Sequence, residues 1–235
     1  AVVVVPGFRE GEFLDRPMLS LPGHQEAPIQ AVAATGKPVI VLLVGGSAIT
    51  MQHWAHKVKA IGHTWYAGEE GGRAVADVLF GDYNPAGRLP ITFPVHEAQL
   101  PLVYNHTPTG RGDDYNNLSG QPLFPFGFGL SYTQFEYSKL VLDKKQIPAS
   151  VSVRITFTVK NTGTRDGDEV VQLYLRDELA SVARPVMELK GFQRVHLKAG
   201  QSQQLSFVLG AEQLSMLSKD LKPVIEPGLF RIMIG

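Results

Sequence analysis

The chain has 235 residues, enough for one large or two ordinary domains, and its 44% hydrophobic and 19% charged content is that of a soluble globular protein. Its 22 basic and 22 acidic residues cancel, so nothing electrostatic favours nucleic acid or an anionic membrane as a partner. The absence of cysteine excludes disulfides and thiolate metal sites, although it leaves the compartment open.

Ala1 to Val5 is an apolar run stopped by Pro6-Gly7. It is too short to span a bilayer or to act as a signal core, and it reads as a buried strand. A mature protein rarely starts in mid-sheet, so a truncated N-terminus is expected. Gln25 to Ala34 carries Ile29, Val32 and Ala33 at helical spacing, with Pro28 near the start, where its missing N–H is harmless. Thr35-Gly36-Lys37-Pro38 stops that helix and enters Val39–Val44, a continuous apolar strand of the kind found where both sheet faces are covered. Ala60 to Tyr66 reads as another strand. Glu69 to Phe80 reads as a helix with an apolar stripe of Ala74, Val75, Val78 and Leu79. Such βαβα alternation implies a mainly parallel sheet with right-handed crossovers.

From Leu89 to Tyr132 the chain is rich in Pro, Gly, Asn and aromatic residues and has little periodicity, the character of a functional segment or a packed connector. Beyond Thr133 the pattern is all-β. Strands are expected within Ser150–Val159, Glu169–Leu175, Met187–Val195, Gln203–Val208 and Leu229–Ile234, with turns at Asn161-Thr162-Gly163, Ala199-Gly200 and Pro227-Gly228. This spacing fits a β-sandwich of immunoglobulin-like or fibronectin type III-like form.

The segment Phe8-Arg9-Glu10-Gly11-Glu12-Phe13-Leu14-Asp15-Arg16 follows directly from the first strand. In open α/β sheets, ligand sites gather beyond the carboxyl ends of the strands. A loop glutamate in a partly closed cleft can have its pKa raised and serve as a general acid. By pattern alone, a solvated loop with an arginine–carboxylate pair explains the segment more readily.

Trp65 and Tyr66, at the end of a strand, either stack on a ligand ring or belong to the core. Glu69 and Glu70 fit a helix start, where they complement the dipole and satisfy amides, better than they fit catalysis. The Gly68–Gly72 turn lacks the Gly-Lys-Ser/Thr ending of a phosphate loop, and its glutamates would repel phosphate. His53 and His56 share a helical spacing but have no third ligand near in sequence, so surface histidines are expected. Turn chemistry accounts for Arg111-Gly112-Asp113. Asn105-His106-Thr107 and Asn117-Leu118-Ser119 fit the glycosylation pattern, which has meaning only in a eukaryotic secretory host.

Several motifs occur together and in order. Trp65-Tyr66-Ala67-Gly68-Glu69-Glu70-Gly71-Gly72 runs on to Leu79-Phe80-Gly81-Asp82-Tyr83-Asn84-Pro85-Ala86-Gly87-Arg88-Leu89-Pro90. Before them stands Glu12-Phe13-Leu14-Asp15-Arg16 with Leu21-Pro22-Gly23-His24-Gln25. After them stand Pro122–Phe135, Val170–Tyr174, Arg184-Pro185 and Leu189–Phe192. In this order they resemble glycoside hydrolase family 3, in particular the bacterial periplasmic β-glucosidases, over nearly the whole chain.

The resemblance implies a fold of α/β plus all-β class. Residues 1–132 would be the C-terminal part of the family's α/β sandwich domain with its connector, and residues 133–235 a fibronectin type III-like domain. It further implies the C-terminal portion of a retaining exo-β-glycosidase, β-glucosidase-like, acting on terminal β-linked sugars. Glu12 matches the general acid/base, with Glu10 the runner-up because the loop varies in length. Asp15 and Arg16 would organise the loop, and Trp65 is carried as a substrate-binding candidate. The nucleophile would be an aspartate on a preceding barrel domain, about 5 Å from the acid/base carboxyl; that barrel and the early part of the α/β domain have no counterpart here. The chemistry implies no cofactor and no metal, and the style implies a periplasmic or secreted bacterial protein. Alternatives are a β-xylosidase of the same family or a non-catalytic carbohydrate-binding or structural module.

Overall fold

The structure, a computed structural model, describes residues 1–110 and 112–235. Two compact units emerge: Ala1–Tyr83 with Pro90–Leu102 and Asp113–Phe126, and Asn84–Leu89 with Val103–Gly112 and Gly127–Gly235.

The first unit is built on a parallel sheet of β1 (Val2–Val4), β2 (Val39–Leu43) and β3 (Ala60–His63), ordered β1-β2-β3. Its helices are α1 (Glu26–Ala34) and α2 (Gly71–Phe80). In β2, Val39, Val41 and Leu43 are almost fully buried, and α1 packs against this strand with Ile29 buried. Each such side chain contributes about 1.5–3 kcal/mol of burial. Both helices end on a left-handed glycine, Gly36 at φ 75° and Gly81 at φ 85°, which a Cβ would resist. The expectation of two covered faces holds for β2 but not for β1. Val3 is 44% and Val5 61% exposed, because β1 is an edge strand with β2 as its one neighbour among the described residues. The strand expected to reach Tyr66 stops at His63, because Trp65 turns into the left-handed region at φ 53°.

The connector within this unit has little regular structure, as its composition suggests. Phe93 and Phe124 form an isolated antiparallel bridge, and Gln99 is buried as a cross-link. The Gln99 amide donates to the carbonyls of Ser119 (2.8 Å) and Gln121 (3.0 Å), while its oxygen accepts from the amides of Val95 (2.6 Å) and His96 (3.2 Å).

The second unit is a β-sandwich. One sheet is β4 (Phe135–Leu142), β5 (Val153–Asn161) and β8 (Ser202–Leu209). The other is β6 (Gly167–Asp177), β7 (Glu188–Leu197) and β11 (Phe230–Ile234), in the order β11-β6-β7. A single turn of helix, α3 (Ala211–Leu214), and a short hairpin of β9 (Met216–Leu217) and β10 (Pro223–Val224) complete it. Alternate residues of β5, β6, β7 and β8 fill one core, including Ile155, Phe157, Leu173, Leu197 and Leu209. The strand β4 was not foreseen in the sequence. Its register shifts between Ser138 and Val141, and Lys139 sits at φ 54°, so its alternation is broken midway.

Two sites tie the sandwich internally. Asn161, fully buried, accepts from the Thr133 hydroxyl (2.6 Å) and the Gly163 amide (3.1 Å), and donates to Arg165 O (2.7 Å) and Leu197 O (3.0 Å). Arg88 donates to both carboxylate oxygens of buried Glu169, at 2.9 and 2.8 Å. Tyr137 donates its hydroxyl to the same carboxylate at 3.0 Å.

Candidate active site

The loop after β1 leaves the sheet at Gly7, where chain and sheet meet closely. Gly7 bridges Val44 in parallel, and a Cβ there would lie 2.7 Å from Val44 O. The Gly7 amide donates to Gln25 Oε1 at 2.8 Å, so the glutamine of the Leu-Pro-x-x-Gln motif pins the start of the loop. Beyond β2, Gly45-Gly46-Ser47 forms the floor. Any Cβ at Gly45 would run into the Phe8 ring, and one at Gly46 would meet the Tyr66 ring at 2.9 Å. The guanidinium of Arg16 lies over the Phe8 ring, 3.7 Å from its centroid. The loop, Gly45–Ser47 and Tyr66 thus gather at the carboxyl ends of the three parallel strands, where open α/β sheets place their ligands.

The two candidate glutamates occupy opposite situations. Glu10 accepts from Arg16 Nε (2.7 Å) and from the Ser47 hydroxyl (2.7 Å), and its own amide donates to Tyr66 Oη (2.7 Å). Burial alone would raise its pKa, but the hydrogen bonds from Arg16 and Ser47 and the adjacent guanidinium charge outweigh it. The carboxyl is held below its ordinary value of 4.5. Glu12 sits in a turn closed by the Leu14 amide donating to Gly11 O at 2.9 Å. Its side chain is exposed and, among the described residues, makes no hydrogen bond or ion pair. The next residue, Phe13, is 91% exposed at φ 64°. Asp15 is exposed beside it.

Arg16 organises the base of this loop. Besides Glu10, it donates to Ser20 O (3.2 Å), Ser47 Oγ (2.9 Å) and Ala48 O (3.2 Å). Tyr66, read from the sequence as stacking or core, braces the loop instead. Its hydroxyl donates to Phe8 O (3.2 Å) while accepting from the Glu10 amide, and the residue is 52% exposed. Trp65 is partly exposed, with its ring 4.1 Å from that of His63 and 6.4 Å from that of Phe93. The Trp65 amide donates to His63 Nδ1 (3.2 Å), so the proton of neutral His63 is on Nε2, facing Ser47 O at 3.3 Å. Burial pushes the His63 pKa below its ordinary 6.5, against the opposing pull of the Ser47 carbonyl and the Glu10 charge.

The remaining sequence candidates fall elsewhere. Glu70 precedes α2 without a side-chain cap bond, because its backbone (φ −85°, ψ 7°) departs from the extended form that aims a capping side chain at the first amides. His53 and His56 are exposed, and among the described residues no three His, Asp or Glu side chains are grouped to hold a metal ion. His53 lines a cleft of about 430 Å³ with His24, His96, Gln52 and Glu97; neither Glu10 nor Glu12 faces it. Asn105 and Asn117 are exposed, and Arg111 of the Arg-Gly-Asp tripeptide lies outside the described residues. Ser47 and the Gly45-Gly46 floor were missed in the sequence. The available signal was a Gly-Gly-Ser run placed directly after the central parallel strand.

Residues 1–132 match the profile of the glycosyl hydrolase family 3 C-terminal domain, and residues 169–235 that of the fibronectin type III-like domain. The chain is similar to a β-xylosidase of Formosa agariphila, 45% identical over 242 residues, covering 100% of this chain and 33% of that protein. It is also similar to the periplasmic β-glucosidase of Salmonella typhimurium, 40% identical over 247 residues, with 100% and 32% covered. Among solved structures it resembles the β-glucosidase from Listeria innocua in complex with isofagomine. There the TM-score is 0.94 at 35% identity, with 99% of this chain and 34% of that chain covered. The chain therefore spans about one third of the length of these relatives.

Proposed function

The chain belongs to glycosyl hydrolase family 3, and from that membership we propose that it is the C-terminal portion of a retaining exo-β-glycosidase, β-glucosidase-like, to which it contributes the general acid/base. Glu12 protonates the glycosidic oxygen as the leaving group departs, then deprotonates the water that releases the sugar. The nucleophile is an aspartate of a barrel domain outside these 235 residues, and neither step calls for a cofactor or a metal. The observation that supports Glu12 most is its setting: an exposed, unpaired carboxyl on the loop beyond the parallel strands. A carboxyl that trades a proton twice per turnover must not be locked in an ion pair, and Glu10, the alternative, is so locked. Trp65, partly exposed at the end of β3, supplies a face for the sugar. A periplasmic or secreted bacterial location accords with the name of the Salmonella relative.

The name of the Formosa relative favours a second reading, a β-xylosidase on the same machinery. Assay of the full-length enzyme on aryl β-glucoside and aryl β-xyloside separates the two. Glu12→Gln in that enzyme is expected to collapse turnover, most for poor leaving groups, and azide is expected to restore part of it with good ones. A silent Glu12→Gln would return the loop to a non-catalytic role. The 235-residue chain alone is expected to hydrolyse neither substrate, since it lacks the nucleophile.

A further inference from the structure

The Glu10–Arg16 ion pair joins residues six apart in sequence and closes a loop whose tip carries Glu12. Base and tip are built differently. At the base, the Phe8 ring abuts Gly45 at its edge and carries the Arg16 guanidinium over it, and Tyr66 Oη bridges Phe8 O and the Glu10 amide. Ser47 joins both partners of the ion pair, and the arginine reaches on to three backbone carbonyls, those of Met18, Ser20 and Ala48. At the tip, Gly11 to Leu14 has one turn hydrogen bond of its own and exposed side chains.

We propose that Glu10 and Arg16 are positioning residues for Glu12: their ion pair, shared with Ser47, fixes both stems of the loop and so sets where the Glu12 carboxyl meets the glycosidic oxygen. The inference rests on the reading of Glu12 as the acid/base. Proton transfer demands hydrogen-bond reach, and a misplacement of about 1 Å costs on the order of 100-fold in rate. The guanidinium suits the task because its fork serves a carboxylate, a hydroxyl and three carbonyls at once. A lysine ammonium keeps the charge but not the fork.

The test uses full-length enzyme carrying Glu10→Gln, Arg16→Lys, Ser47→Ala or Glu12→Gln, each assayed on good and poor leaving groups with and without azide. Glu10→Gln and Arg16→Lys are expected to lower kcat by about 10- to 100-fold on poor leaving groups. KM should be nearly unchanged and good leaving groups much less affected. Azide should not rescue, because the Glu12 carboxylate still occupies its place. Ser47→Ala, which leaves the ion pair itself intact, should follow the same pattern more weakly, and it carries the test if Arg16→Lys fails to fold. A kcat unchanged in Glu10→Gln, while Glu12→Gln collapses turnover, would overturn the positioning role and leave Glu12 standing. Azide rescue of Glu10→Gln would make Glu10 itself the catalytic carboxyl, overturning both. A silent Glu12→Gln would remove the reading on which the inference rests, whatever Glu10 does.

Discussion

Glu10 and Glu169 are each held by one arginine, yet the two pairs occupy different surroundings. In the sandwich unit, Arg88 grips both oxygens of Glu169 and Tyr137 adds a third bond; 7% of the carboxylate side chain is exposed. In the α/β unit, Glu10 receives one nitrogen of Arg16, with 20% of its side chain exposed, and the rest of the guanidinium serves a hydroxyl and loop carbonyls. The first pair cross-links a core that closes on itself. The second shapes a loop at the open end of a sheet. The two arginines are about equally buried, and the difference lies in the carboxylates: Glu169 is saturated inside a core, whereas Glu10 is more exposed and shares its arginine with a loop.

Breaking the buried pair should have the largest effect on stability. Glu169→Ala strands a guanidinium in the sandwich and should cost about 3–5 kcal/mol in denaturant unfolding. Arg88→Met with Glu169→Leu should cost less than either single change, because no charge is then left unpaired. Equal or greater loss in the double variant would show that the pair is more than charge compensation. Gln99→Ala comes next. It deprives four backbone groups of the connector of a buried partner, and each unmet group costs about 1–3 kcal/mol unless water replaces the amide. Glu10→Gln should cost less, about 1–3 kcal/mol, because the amide oxygen can still accept from Arg16 and Ser47. A loss as large as that of Glu169→Ala would erase the contrast between the two pairs.

Acid sharpens the comparison at the smallest scale. His63 is neutral with its pKa lowered by burial, so the stability tied to its neutral form is present above its ordinary 6.5 and fades as pH falls below it. Glu10 and Glu97 are also lowered. Their contribution is present above their ordinary 4.5 and is lost as pH falls through the folded values. In the sandwich unit, the burial of Asp168 is outweighed by its hydrogen bonds to His196 and Arg194, and Glu226 is lowered by Ser181, so the losses there begin with carboxylates, below the range of His63. Both tryptophans, Trp54 and Trp65, lie in the α/β unit. Unfolding of the 235-residue chain followed by tryptophan fluorescence should therefore show loss of stability beginning near pH 6, before circular dichroism of the sandwich strands responds. Coincident curves would assign the acid response to the sandwich as well.

What could be read from the residues follows the range of the interactions. The helices, the parallel strands and most sandwich strands are marked by local periodicity, and Gly36 and Pro38 mark a stop within a few positions. The loop itself was legible in the same way, because it follows directly from an apolar run, but its pattern alone read as a solvated loop and Glu12 was singled out only by the resemblance of its motif. Ser47 was not, because its bond to Glu10 spans 37 residues, and the Gly-Gly-Ser run after the central strand marks a tight turn without naming that partner. Gln99 looked like any polar residue of a loop, since its four partners are carbonyls and amides that carry no side-chain signature. Strand β4 escaped because its bulge at Ser138–Val141 breaks the alternation that identifies a strand.

The central claim is that one carboxyl of this loop, Glu12, exchanges the proton while its neighbour Glu10 only holds the frame. The most direct test measures kcat/KM of the full-length enzyme and its Glu12→Gln variant over a series of aryl β-glycosides, from good to poor leaving groups. If Glu12 is the acid, the variant should keep much of its activity on the best leaving groups and lose progressively more as they worsen. A variant whose losses are uniform across the series, or absent, would contradict the account.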